Sequence, residues 1–105
     1  MSESATVVLR RALKAEFMHF AGLIAIEIRD VREWASMTFT GERHNLALRL
    51  EGRGAGAALA RFRDGLEDRE FDLGGHILID IAVRDSREAG EVAEIELEAL
   101  TVVAD

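Results

Sequence analysis

The chain is 105 residues long, a single-domain length, with no cysteine, no proline and a formal net charge of −7. The missing cysteines exclude disulfides, thiolate metal sites and cysteine nucleophiles, and fit a reducing cytoplasm. The acidic balance works against nucleic acid and anionic membranes as partners, and no apolar run approaches the roughly 20 residues of a membrane span.

Leu, Ile, Val and Phe make up 31 of the 105 residues, enough to build a core. The expectation is one α+β domain over residues 1–105, with residues 1–4 disordered. No basic stretch precedes an apolar run at the N-terminus, so no secretory signal is expected.

Ser4 is placed to cap a helix whose apolar stripe is Leu9, Leu13, Phe17 and Phe20, with Arg10, Arg11 and Lys14 outside and Gly22 at its end. "GLIAIEIRDV" alternates, with Ile24, Ile26 and Ile28 inward, and predicts a half-buried strand. "EWASMTFT" continues the alternation with Ala35, Met37 and Phe39 inward, "GERHN" reads as a loop, and "NLALRLE" sends Leu46, Leu48 and Leu50 inward. Ala55, Ala58, Leu59, Phe62 and Leu66 mark a second amphipathic helix over residues 55–68. "HILIDIAVRD" turns Ile77, Ile79, Ile81 and Val83 inward, "SREAG" reads as a turn, and "EVAEIELEALTVV" closes the chain with Ala93, Ile95, Leu97, Ala99 and Thr101 inward. The order is α-β-β-β-α-β-β: a mostly antiparallel five-stranded sheet with both helices on one face. The other face then carries Trp34, Leu78 and Leu100, an apolar patch of the kind that meets a partner.

The α-β-β-β-α order over residues 4–68 is similar to that of the double-stranded RNA-binding domain in topology alone. The second helix opens "GAGAALARF", without the lysines such a domain sets against phosphates, so no nucleic-acid partner is expected.

"EGRGAGAALARF" raises a sharper question. Gly52, Gly54 and Ala57 fit the spacing of a dinucleotide-binding turn, with Arg53 adding charge and Asp80 23 residues beyond Ala57. Against this, the flanking strands alternate instead of running continuously apolar, and too few βαβ units remain for a nucleotide-binding sheet. A structural turn is the stronger reading.

Charge is divided along the chain: +3 over residues 1–63 and −10 over residues 64–105. Glu94, Glu96 and Glu98 share one strand face, and a hairpin at "SREAG" with Asp85 opposite Glu91 would set Asp80 against Glu96. Arg29 and Arg49 are placed to offset them. No metal and no cofactor is expected.

These features favour a small, soluble, cytoplasmic, non-enzymatic module. It would associate with a second copy, as a homodimer, through the sheet face around Trp34, Leu78 and Leu100. The alternative is a small-molecule-binding or enzymatic domain, using Asp80, Glu94, Glu96 and His76 on an acidic face or Gly52, Arg53 and Gly54 in the turn up to Gly56.

Overall fold

The computed structural model describes residues 3–104. Helix α1 covers Ala5–Ala15, and the Ser4 hydroxyl accepts the Val7 N–H at 3.2 Å, satisfying one of the donors a helix start leaves open. Strands β1 (Leu23–Ala35) and β2 (Thr40–Glu51) form one long antiparallel hairpin. Helix α2 covers Ala55–Arg63, and a single 3-10 turn follows at Leu66–Asp68. Strands β3 (His76–Ala89) and β4 (Val92–Val103) form a second hairpin. The sheet order is β1-β2-β4-β3, with every neighbouring pair antiparallel.

The sheet has four strands, not five. "EWASMTFT" is divided by a tight turn in which the Ser36 hydroxyl accepts the Phe39 N–H at 3.0 Å. Met37 and Phe39, expected in the core, sit exposed at that hairpin tip. "GERHN" is strand rather than loop, because Gly41–Asn45 pair with β1 on one side and β4 on the other. "SREAG" is mostly strand as well: Ser86–Ala89 pair with β4, and the chain reverses only at Gly90, where φ is +61°.

Leu46, Leu48 and Leu50 of β2 and Ala93, Ile95, Leu97 and Ala99 of β4 point to one face, where Leu9, Leu13, Leu59 and Phe62 of the helices cover them. Phe17 packs on Phe62 with ring centroids 5.0 Å apart. Each such side chain contributes about 1.5–3 kcal/mol by leaving water. The opposite face has no helical cover.

Bulges interrupt the register at Arg29 of β1 and at Ile79 and Arg84 of β3. An extra residue reverses which side chains face the core. Beyond Ile79, Leu78 therefore turns to the helix side and packs on the core, while Ile77 and Ile79 are about half exposed, against the expected pattern.

Candidate functional site

The open sheet face is a lattice of ion pairs. β4 supplies Glu94, Glu96 and Glu98, and arginines reach them from all three other strands. Arg29 meets Glu96 at 2.8 Å, Arg43 and Arg84 meet Glu98 at 2.9 and 3.0 Å, Arg87 meets Glu94 at 3.3 Å, and Arg49 pairs with Glu94 too. The hydrogen bond from Arg84 holds the Glu98 carboxyl below its usual range. The like charges of the β4 row are thus offset by interleaved guanidinium groups, with Arg29 and Arg49 in the expected role.

The carboxylates do not converge in the expected way. Asp80 pairs in register with Leu100, and Glu96 with Asp85, because β3 stays paired through Ala89 before the chain reverses and the Arg84 bulge lies between that turn and Asp80. His76 and Asp80 fall on opposite faces, separated by the Ile79 bulge. The His76 ring instead meets the Glu3 carbonyl oxygen at 3.2 Å. Among the described residues, no group of three or more His, Cys, Asp or Glu side chains is arranged to hold a metal ion.

The glycine turn does join a strand to a helix. Gly52 has φ of +138°, donates its N–H to the Glu91 carbonyl at 2.8 Å, and accepts the Ala55 N–H at 3.1 Å. A Cβ there would lie 3.1 Å from Gly22 Cα, so backbone crowding and dihedral angle both call for glycine. Gly54, with φ of +83°, caps α2. The Glu88 carboxylate lies beside the first turn of α2, 2.8 Å from where a Cβ on Gly56 would stand. An anion of the chain's own thus stands near the helix N-terminus, where the peptide dipoles favour negative charge. Arg53 is exposed and forms no ion pair among the described residues.

At the other end of the sheet, Trp34, Gly41, Val102 and Ile77 form a row across the four strands. A Cβ on Gly41 would stand 3.0 Å from the indole Nε1, so the ring lies over the glycine. Trp34 and Leu100 are half-buried on this open face, and Ile77 occupies the place expected for Leu78. The Trp34 Nε1 is buried and has no hydrogen-bond partner among the described residues. At the same end of the sheet, a cleft of about 480 Å³ is lined by Glu33, Glu42, His76 and Thr101, which the register places on the helix-covered face, together with Trp34 and Gly41 of the open-face row among others.

Next to that cleft lies a residue that the loop reading of "GERHN" concealed. His44 is fully buried; its Nε2 is 3.0 Å from the Thr101 hydroxyl and its Nδ1 3.3 Å from that of Thr6 on α1. Thr101 donates to the Glu42 carbonyl at 3.4 Å. Its oxygen is then free to accept from His44 Nε2–H, leaving Nδ1 to accept from Thr6; the tautomer is assigned from this network. Burial pushes the His44 pKa down, with Glu42 opposing and the nearby His76 adding to the effect. Extending the Leu50, Leu48, Leu46 alternation one step back would have placed His44 on the core face.

No protein-family model matches the chain, and no curated protein matches it. Among solved structures, the chain is similar to one in the structure titled "Virion of native gene transfer agent (GTA) particle". The match covers 99% of this chain and 100% of that one, with a TM-score of 0.66 and 17% identity. At that identity the likeness is one of fold.

Proposed function

We propose that this chain is a structural subunit of a multi-subunit, phage-like particle, and that it works by association rather than by catalysis. The observation that carries this reading is the fold match, which spans both chains nearly end to end and whose partner belongs to a virion particle. The chemistry of the surface supports it: the acidic side chains of β4 are committed to arginines. One contact is a homodimer interface on the open face, centred on Trp34 and Leu100, with Ile77 completing the patch in place of Leu78. The cysteine-free chain suits assembly in the cytoplasm.

The test is to express the tagged chain in its source cells and fractionate released particles on a density gradient. The chain should co-sediment with particles, and cells lacking it should release incomplete ones. A chain that stays in the low-mass fractions, with normal particles formed in its absence, overturns the proposal.

A further inference from the structure

We infer that two copies stack their open faces about a two-fold axis that runs along the strands, β1 of one over β3 of the other, so that Arg32 of each meets Asp80 of the other. This pairing rests on the homodimer reading above; it adds the residues that set the orientation of the two copies.

Asp80 is the odd carboxylate of the open face. The others there, from Glu27, Asp30 and Glu51 to Asp85 and the β4 glutamates, are all ion-paired with arginines. Asp80 is exposed and forms no ion pair among the described residues. Arg84 feels its charge but is bonded to Glu98 at 3.0 Å.

Arg32 is the complementary group. It stands directly opposite Arg43, an unfavourable pairing of like charges. Arg43 is bound to Glu98. Arg32 bonds only Asp30 of its own strand, through Nε at 2.8 Å, and its side chain is 78% exposed. Its two terminal nitrogens have no partner among the described residues, which leaves that end of the guanidinium open to a second carboxylate.

The two charges flank one apolar patch. Arg32, Arg43, Leu100 and Asp80 form a row across the sheet, beside the row of Trp34, Gly41, Val102 and Ile77. The bond from the Ser36 N–H to the Phe39 carbonyl, 2.8 Å, continues the β1–β2 register by one pair and puts Phe39 on the same face. Phe39 and Ile77 are each about half exposed. The patch thus has a positive rim on β1 and a negative rim on β3.

A two-fold axis along the strands, between β2 and β4, turns each row end for end. Arg32 then meets Asp80 twice, and Trp34 covers Ile77 twice. Stacked sheets stand about 10 Å apart, a gap that facing arginine and aspartate side chains bridge. An axis across the strands instead lays each strand over its own counterpart. It sets Arg32 against Arg32 if it follows their row, and leaves both Arg32 and Asp80 without partners if it follows the row of Trp34. The charges therefore select the first arrangement, an isologous contact with an apolar centre and a charged rim.

The experiment is sedimentation equilibrium of the full chain, of Arg32→Asp and of Asp80→Arg, alone and mixed. Both positions are exposed, and circular dichroism checks that each variant is folded. Wild type should dimerise, each reversal should weaken the dimer at least about tenfold, and an equimolar mixture of the two should restore it. A second measurement uses the absence of native cysteine: Arg32→Cys and Asp80→Cys, treated with a short bis-maleimide, should cross-link when mixed and not alone. A monomeric wild type overturns the homodimer and this contact with it. Reversed variants that dimerise like wild type, a mixture that fails to recover, or cross-linking of Arg32→Cys with itself overturn the contact while a wild-type dimer leaves the homodimer standing.

Discussion

Replacing His44 with leucine should remove a pH dependence of stability while keeping the core filled. In the folded chain, burial favours the neutral imidazole, so its pKa lies below the ordinary histidine value of about 6.5 that the unfolded chain adopts. The unfolded state then binds more protons between those two values. Stability is complete above pH 6.5 and declines as pH falls through that value toward the lower folded one. The slope contributed by one such group cannot exceed about 1.4 kcal/mol per pH unit. His44→Leu also leaves the Thr6 and Thr101 hydroxyls without a ring partner, a cost of about 1–3 kcal/mol for buried groups. The variant should therefore be less stable than wild type at pH 7.5, with the gap narrowing at pH 5.5. Urea unfolding followed by the fluorescence of Trp34, the one tryptophan, measures both. An identical pH dependence in wild type and His44→Leu would refute the reasoning.

Four other substitutions probe the rest of the fold by the same assay. Leu97→Ala, in the centre of the core, should cost about 2–5 kcal/mol. Glu96→Gln should cost less than about 1 kcal/mol despite its bond to Arg29, because both side chains are solvent-exposed. Gly52→Ala should destabilise by more than about 1 kcal/mol, since φ of +138° disfavours any side chain and Gly22 crowds the site, whereas Gly54→Asn should be milder because nothing lies within reach of a Cβ there.

Local signals were legible where local energetics decide the structure. Ser4 caps α1 and the Leu9–Leu13 stripe is buried because spacing, cap and burial agree. The alternation in β2 and β4 was equally clear, and so was the offset of the β4 glutamates by Arg29 and Arg49. What failed depended on distant partners. "GERHN" is polar and begins with glycine, yet Arg43 finds Glu98 and His44 finds Thr101 and Thr6, and those contacts hold the segment in the sheet. The bulge at Ile79 has no signature in "HILIDIAVRD", but it exchanges Leu78 for Ile77 on the open face and separates His76 from Asp80. The candidate surface around Trp34 was therefore legible in two of its members, Trp34 and Leu100, and not in the third.

Native mass spectrometry of the freshly purified chain, across a dilution series and beside a denatured sample, tests the central claim most directly. The account predicts integer multiples of the chain mass that dissociate on dilution, with no additional mass lost on denaturation. A single chain mass at every concentration, carrying a small molecule that denaturation releases, would contradict it and return attention to the ligand-binding alternative.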